Sequence, residues 1–574
     1  MTPLPARSLI AGTAQGPLLW SDTGLSFWGG VDAASGEVID RHHPLSGQCL
    51  AGRVLAIPSG RGSCSGSGVL LELLLNGHAP AALLLTEADE ILTLGALVAQ
   101  QLFGHSLPVL CLSATDFAAL RELDAVHVGA AGVSTLAQAA GREAAPAAAE
   151  PGAGLRLSAF DRALLAGEHG RAAQAAMRIV LQMAALQGAH ELIDVQQAHI
   201  DGCIYTGPAS LRFARRLLDR GARVRVPTTL NAISVDQRRW RALGVDPAFG
   251  EPASALGEVY CAMGAQPSFT CAPYLLDSAP ACGEQIAWAE SNAVVYANSV
   301  LGARTLKYPD FLDICIALTG RAPLCGSHGD AGRRARVRID VERPAAVDDA
   351  FYPLLGYHVG QLCGSAIPLL CGLQQAAPDR DALKAFGAAF ATTSAAPMFH
   401  ILGVTPEAAS VEQALGGASA QRHLSLRAAD LRASWAELDR ATDSAVQLVA
   451  LGNPHCSLSE CARLAALCQG RRRHADTAVI VTLGRAVFEQ ATRAGYVATL
   501  QAFGVQFVTD TCWCMLGEPV LPPATRTLMT NSAKYAHYAP GLSGRAVHFG
   551  SLAACIDTAC RGHCHAHRPP WLDA

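Results

Sequence analysis

The chain of 574 residues is longer than one ordinary domain, so we expect roughly two to four domains. Half of the residues are hydrophobic and only 16% are charged, which supplies enough apolar material for large buried cores. The net charge of −4 argues against a nucleic-acid partner, and no apolar run approaches the roughly 20 residues that span a membrane.

The N-terminus and the cysteines indicate a compartment. Residues 1–12 lack a basic stretch followed by an apolar core, so we predict no secretory signal and a cytoplasmic location. Nineteen cysteines in such a chain are expected to be free thiols, most of them buried as small hydrophobic residues. A few of them remain as candidate metal ligands.

Residues 1–135 are predicted to form a compact α/β unit organised around a glycine-rich loop at 58–69. A buried strand at 53–57 precedes the loop, and a helix at 69–76 follows it. Such a loop points free N–H groups at an anion, or at an ionised hydroxyl such as that of Ser63. A phosphate-binding loop or a merely tight turn is the alternative. Further strands are predicted at 81–85, 108–112 and 125–128, and a helix at 91–101.

Residues 136–154 are rich in Ala, Pro and Gly and are predicted to be a linker, with the domain boundary there. Residues 155–574 are predicted to form a larger α/β region, because strands and helices alternate again. Strands are predicted at 190–194, 198–201, 223–227, 445–451, 478–481 and 506–509, and helices at 158–166, 172–186, 461–467 and 485–494. The polar segment after residue 227 is predicted to be a ligand loop.

Three cysteines beside predicted strand ends or turns are candidate metal ligands: Cys271, Cys456 and Cys512. Three thiolates suit an iron–sulfur cluster that leaves one iron open to substrate. The alternative is three unconnected core thiols, because no Cys-x-x-Cys pair supports a cluster.

Polar segments near 288–304 and 529–541 contain candidate substrate contacts. Ser532 and Lys534 are suited to hold a carboxylate or a phosphate, and capping or turn roles are the alternative. The tail at 555–567 is rich in Cys and His, so it is either a zinc site or a polar helix end.

Taken together, these segments resemble the aconitase X family over nearly the whole chain. In the small part, the resemblance is carried by Phe-Trp-Gly-Gly-Val-Asp at 27–32 and by the glycine-rich loop at 60–67. In the large part it is carried by segments 222–231, 270–274, 287–292, 297–304, 452–455 and 529–541. The two parts are separate subunits in some members, and this chain resembles the fused bacterial form.

The resemblance implies a small swivel domain joined to an aconitase-like α/β catalytic region, with an iron–sulfur cluster between them. It implies a hydro-lyase, with cis-3-hydroxy-L-proline as the small-molecule substrate and Δ1-pyrroline-2-carboxylate as the product. Archaeal relatives dehydrate mevalonate 5-phosphate. A phosphorylated substrate needs additional Lys or Arg side chains near the site, and only Arg304, Lys307 and Lys534 are candidates here. A non-catalytic, cluster-bearing sensor is the alternative from another class.

The resemblance also assigns roles to residues. The base serine corresponds to Ser63, with Ser65 as its neighbouring candidate. The cluster ligands correspond to Cys271 and Cys512, with Cys456 expected as the third and Cys514 as the next candidate. A [2Fe–2S] cluster is expected, with [3Fe–4S] and [4Fe–4S] left open, as is the oligomeric state. The candidate substrate contacts are Thr229, Asn231, Ser291, Ser532 and Lys534.

Overall fold

The computed structural model describes residues 3–40, 43–60, 65–130, 132–136, 152, 154–565 and 567–573. Ser63 and nearly all of the predicted linker lie outside these residues, and the predicted domain boundaries stay a prediction. The chain divides into two compact units. The first unit comprises Met1–Thr228, Glu258–Ala265 and Tyr308–Cys325, and the second comprises Thr229–Gly257, Gln266–Lys307 and Gly326–Ala574.

The strands are short, and they are numbered here in chain order. They are β1 Ala6–Ile10, β2 Ala14–Trp20, β3 Val54–Ala56, β4 Ala82–Leu85, β5 Val109–Leu112, β6 Ala125–Gly129, β7 Gly132–Thr135, β8 Leu192–Asp194, β9 Ala198–Ile200, β10 Thr228–Leu230, β11 Ala287–Trp288, β12 Arg321–Pro323, β13 Val337–Glu342, β14 Pro368–Cys371, β15 His400–Ile401, β16 Arg422–Arg427, β17 Leu448–Leu451, β18 Ala478–Leu483, β19 Val505–Thr509, β20 Thr527–Thr530 and β21 Ala546–Phe549.

The α-helices are numbered in the same way. They are α1 Gly66–Asn76, α2 Glu90–Val98, α3 Ala114–Ala119, α4 Ala159–Ala166, α5 Arg171–Leu186, α6 Pro208–Asp219, α7 Pro247–Ala262, α8 Ser291–Tyr296, α9 Leu312–Thr319, α10 Phe351–Cys363, α11 Arg380–Thr393, α12 Val411–Leu415, α13 Arg432–Leu438, α14 Leu458–Cys468, α15 Arg485–Arg493, α16 Tyr496–Phe503, α17 Ala533–Ser543 and α18 Leu552–Arg561. Within the described ranges, none of them is long and apolar enough to cross a bilayer.

A seven-stranded sheet of order β1-β5-β4-β3-β2-β6-β7 forms the core of the first unit. The four central strands are parallel, and the edge strands β1, β6 and β7 pair antiparallel. β3 and β4 are fully buried and wholly apolar, which is typical of a parallel sheet covered on both faces. The strand-then-helix order around the glycine-rich loop is confirmed by β3 and α1.

Two parallel sheets organise the second unit: β15-β14-β13-β16 and β19-β18-β17-β20-β21. The carboxyl ends of parallel strands meet at one edge of a sheet, where α/β proteins commonly bind ligands. At that edge of the five-stranded sheet, β17 leads to Asn453, β19 leads to Cys512 and Cys514, and β20 leads to Ser532 and Lys534. Sheet topology therefore gathers chemically active side chains from distant parts of the sequence.

The α/β fold class is confirmed, and one predicted strand is wrong. Residues 223–227 alternate charged and apolar side chains, which imitates a half-buried strand. In the structure, the N–H groups of Val224 and Arg225 bond instead to the carbonyls of Met263 and Ala317. The strand β10 begins only at residue 228, inside the segment predicted to be a loop.

Candidate functional site

Three thiols of the second unit interact with one another: those of Cys271, Cys512 and Cys514. The Cys512 thiol donates a hydrogen bond to Cys514, which lowers the pKa of Cys514 to about 6 and raises that of Cys512 well above its usual value. Burial raises the pKa of Cys271 to about 12, and this thiol interacts electrostatically with the other two. The cluster joins the turn after β19 to the segment that precedes β11 in the chain.

Two N–H groups donate hydrogen bonds to these sulfur atoms. The backbone N–H of His455 lies 3.3 Å from Cys271 Sγ, and the Asn453 side-chain amide lies 3.3 Å from Cys514 Sγ. Both donors belong to the turn after β17. Such N–H···S bonds stabilise ionised sulfur ligands.

The buried ring of His455 ties together the segments that contain the thiols. Its Nε2–H donates to the Thr511 carbonyl at 2.8 Å, and its Nδ1 accepts from the Thr270 hydroxyl at 3.0 Å. Burial lowers the pKa of His455 to about 4, so the ring is neutral and both bonds are satisfied. The ring thereby fixes the residue before Cys271 and the residue before Cys512.

A buried ion pair lies beside the thiols. Lys534 Nζ is 2.9 Å from Glu290 Oε1, and the other Glu290 oxygen accepts from the Asn292 amide and from the backbone N–H of Ala293. Burial alone would lower the pKa of Lys534, but Glu290 and the cysteine thiols outweigh it and hold that pKa well above its usual value. The ammonium group therefore supplies a fixed positive charge next to the sulfur atoms.

Unusual backbone conformations hold the strand ends that form the site. Asp510, the residue after β19, has a φ of 69°, and its carboxylate accepts two bonds from Arg485 at 2.5 and 2.8 Å. Gly452, the residue after β17, has a φ of 94°, and a Cβ there would lie 2.1 Å from the Thr482 carbonyl oxygen. Only glycine fits that turn, which positions Asn453 for its bond to sulfur.

Unpartnered polar atoms border the same place. Within the part of the chain that the structure describes, the Tyr535 hydroxyl and Thr511 Oγ1 are buried without hydrogen-bond partners. Burial raises the pKa of Tyr535, and the thiols of Cys514 and Cys512 raise it further, so this hydroxyl lies near them. Buried donors without partners are rare in closed protein cores. Three thiols, N–H···S bonds and an unused hydroxyl together fit a site for an added sulfur-ligated metal group.

Cys456 has different neighbours from those three thiols. Burial raises the pKa of Cys456 well above its usual value. The charge of Glu460 raises this pKa further, and the charge of Lys384 lowers it. It packs in the apolar cluster beneath α14 and also lines a cavity of about 340 Å³, together with Asn453 and Lys534. Of the predicted ligands, Cys271 and Cys512 interact with Cys514 in the structure.

The predicted substrate contacts fall into two groups. Lys534 and Ser532 line that cavity, but the Ser532 hydroxyl already caps α17 by accepting from the backbone N–H of Tyr535 at 3.1 Å and donates to the Asn453 carbonyl. Ser291 is the first residue of α8 and is partly exposed. Thr229 lies in β10 and Asn231 just after it, and both are buried. The Leu230 carbonyl between them accepts a hydrogen bond from the backbone N–H of Thr270.

The first unit contains a second polar cluster, at the start of α1. Ser63 lies outside the described residues. Ser65 is buried, and its side chain hydrogen-bonds to Asp310, which also bonds to the side chain of Asp201. Burial, followed by the neighbouring Asp313, raises the pKa of Asp310 to about 7. Asp310 Oδ1 has no hydrogen-bond partner among the described residues, so this carboxyl group can bind or release a proton near neutral pH.

Comparison with known protein families accounts for most of the chain. Four family models match in order: the aconitase X swivel domain at residues 3–136, the first domain at 154–331, the second at 335–436 and the third at 446–561. The chain belongs to the aconitase X family. Hydro-lyases of this family generally use iron–sulfur clusters.

Several aconitase X relatives are similar over most of their length. A cis-3-hydroxy-L-proline dehydratase from Pseudomonas aeruginosa is 63% identical over 99% of this chain and 98% of its own. One from Hypocrea jecorina is 56% identical over 98% of this chain and 96% of its own. The crystal structure of Thermococcus kodakaraensis aconitase X in its holo-form matches 71% of this chain and all of its own, with 31% identity and a TM-score of 0.64.

Several residues around the thiols and around Ser65 were not predicted from the sequence. Glu290 and Asn292 flank the predicted Ser291, and His455 precedes the predicted Cys456, so each lies within a segment that contains a predicted site residue. Hydroxyls and thiols indicate chemistry in a sequence, whereas Glu290, Asn292 and His455 hold other side chains and backbone segments in place. No sequence pattern marked Asp310, which is far along the chain from the serine that it contacts.

Proposed function

We propose that this chain is an iron–sulfur hydro-lyase that dehydrates cis-3-hydroxy-L-proline to Δ1-pyrroline-2-carboxylate. The observation that carries the proposal is the 63% identity, over 99% of the chain, to an enzyme named for that reaction. The thiol cluster supports it, because the residues that gather at the sheet edge suit a metal-assisted dehydration.

Cys271, Cys512 and Cys514 would hold the cluster, for which we propose the [2Fe–2S] type, and Cys456 is the alternative third ligand. The hydrogen bonds from His455 and Asn453 and the positive charge of Lys534 favour ionised thiolates at this place. When bound, such a group supplies Lewis acidity towards a leaving hydroxyl.

Lys534 is proposed to bind the substrate carboxylate. Its ammonium group is already oriented by Glu290, so little side-chain freedom is lost when an anion binds. Thr229, Asn231 and Ser291 are proposed to bind the remaining polar atoms of the amino acid. Because its hydroxyl is committed at both the donor and the acceptor side, Ser532 is proposed to position Asn453 and the start of α17.

Ser63 is proposed as the base that removes the Cα proton. The hydroxyl on the adjacent ring carbon leaves as water, and the resulting enamine becomes the cyclic imine when a proton moves from nitrogen to carbon. A serine alkoxide needs several kcal/mol of stabilisation, which is the scale that preorganised N–H donors supply. The backbone N–H groups in the first turn of α1 are proposed as these donors. Asp310 acts as a positioning residue, because it holds Ser65 two residues further along the same loop.

The test is a dehydration assay with anaerobically purified protein. We expect cis-3-hydroxy-L-proline to yield an imine that reacts with o-aminobenzaldehyde, whereas mevalonate 5-phosphate should not react. Turnover of mevalonate 5-phosphate alone would contradict the substrate assignment, and coloured protein that turns over neither compound would indicate the sensor alternative.

The base assignment has its own variant. Ser63→Ala should abolish turnover and leave the visible absorption unchanged, whereas Ser46→Ala, an exposed serine of the same unit, should behave as wild type. Retained turnover in Ser63→Ala, with loss in Ser65→Ala, would move the role to Ser65.

A further inference from the structure

Three potential metal ligands converge in the second unit. They are His548 on β21, and Cys564 and His567 in the segment after α18. Among the residues that the structure describes, one ligand atom from each lies within 4.8 Å of the others. His548 and Cys564 are buried, and the His567 side chain is 15% exposed.

Asp439, which follows α13, contacts two members of this group. Its Oδ1 is 2.8 Å from His548 Nδ1, and its Oδ2 is 2.8 Å from His567 Nε2. The carboxylate is largely buried, with 15% of its side chain exposed. Two imidazoles and one thiol therefore lie close together, and the Asp439 carboxylate bonds to both imidazoles.

The hydrogen bonds of His548 favour a cation between its ring and Asp439. The Nε2–H of His548 donates to the Asp443 carbonyl at 3.0 Å, which leaves a lone pair on Nδ1 of the neutral ring. That lone pair faces an Asp439 oxygen, which is also an acceptor. Two acceptors at 2.8 Å require a positive charge between them, either a proton or a metal ion. An imidazole whose second nitrogen donates to a backbone carbonyl is the usual form of a metal ligand.

We propose that Asp439, His548, Cys564 and His567 form a structural zinc site. Four side chains of the N, S and O types that zinc prefers leave no position for substrate, as in structural rather than catalytic zinc sites. Tetrahedral bonds of about 2.0–2.3 Å would hold the ligand atoms roughly 3.3–3.7 Å apart. For this, the Asp439–histidine contacts of 2.8 Å would lengthen by about half an ångström, and the Asp439 oxygen would approach the rest of the group.

The site would fasten the C-terminal segment to the sheet. Cys564 and His567 follow the last helix of the described chain, and the other two ligands come from β21 and the turn after α13. Metal binding stabilises a fold by its binding free energy because the unfolded chain has no preformed site. It also explains the Cys- and His-rich composition of this tail.

The test is the metal content of the full-length protein, with zinc and iron measured separately by mass spectrometry. We expect about one zinc ion per chain in the wild type after exposure to Zn²⁺ and gel filtration. His567→Ala and Cys564→Ser should lose zinc and retain iron. His565→Ala is the matched control, because this exposed histidine of the same tail should leave the zinc content unchanged.

Co²⁺ gives a readout that does not depend on the variants' stability. Wild-type protein loaded with Co²⁺ should show the visible bands of a tetrahedral, thiolate-bound cobalt ion, and added Zn²⁺ should remove them. Absence of bound zinc together with absence of these bands would overturn the proposal. Zinc that persists in both Cys564→Ser and His567→Ala would overturn it as well.

Discussion

Replacing Asp310 by Asn should change how the stability of the protein depends on pH. Asp310 is buried, and this burial, with the neighbouring Asp313, raises its pKa from the ordinary 3.8 to about 7. A carboxyl group with a raised pKa in the folded state does not penalise folding below its unfolded pKa. The penalty grows as the pH rises from about 4 to about 7, because the unfolded chain then ionises more readily.

The size of the effect follows from the shift. A rise of about three pKa units corresponds to about 4 kcal/mol, at 1.36 kcal/mol per unit. About 2 kcal/mol of this should develop between pH 5 and pH 7. Asn resembles the neutral acid in shape, so the variant should escape this loss and keep the bond to Ser65. For a unit of this size the difference is on the order of 5–10 °C in melting temperature.

The assay is thermal unfolding followed across that pH range for the wild type and the variant. We expect the two melting temperatures to diverge as the pH rises, with Asp310→Asn the more stable protein at neutral pH. Asp219→Asn, an exposed carboxylate on α6 of the same unit, should follow the wild type throughout. Parallel curves for Asp310→Asn and the wild type would refute the assignment of a buried, proton-binding carboxyl group.

Two further substitutions, each with a control, test a buried ion pair in the first unit and the turn after β17 in the second. Arg321→Met leaves the buried Asp161 carboxylate, now 2.7 Å from Arg321 Nε, without its charged partner, so we expect a loss of about 3–5 kcal/mol in unfolding experiments. Asp194→Asn, which removes the 86% exposed partner of the same arginine, should cost less than about 1 kcal/mol, and equal losses would contradict this reasoning. Gly452→Ala should destabilise the protein by about 1–3 kcal/mol through the clash with a neighbouring carbonyl oxygen, and should lower the iron content because Asn453 moves. Gly470→Ala has a similar positive φ but open space around it, so iron loss in that variant too would show that the clash is not the cause.

Much of the layered fold could be predicted from the sequence. Apolar runs such as those of β3, β4 and β17 and the Asn76-Gly77 helix end are local signals, and local signals are visible in a sequence. The error at residues 223–227 arose because alternating charged and apolar side chains satisfy a strand pattern without specifying a partner strand. The backbone there bonds to irregular segments instead.

The site was harder to predict because its residues are gathered by sheet order. Cys512 and Cys514 are separated by one residue, so the sequence alone does not decide which of them is a cluster ligand. The turn after β19 brings both of them to Cys271. Cys456 is a candidate from the sequence because it adjoins the Gly-Asn-Pro-His segment after a predicted strand. In the structure, the backbone N–H of His455 and the amide of Asn453 from that segment reach the sulfur atoms. Long-range contacts such as that of Ser65 with Asp310 produce no local sequence pattern from which they could be predicted.

The most direct test of the account is the iron and sulfide content of four single variants, purified anaerobically beside the wild type. Cys271→Ser, Cys512→Ser and Cys514→Ser should each lose most of the iron, the sulfide and the visible absorption, while Cys456→Ser keeps them. If Cys456→Ser loses the cluster and Cys514→Ser retains it, the thiol group assigned from the structure is not the cluster site.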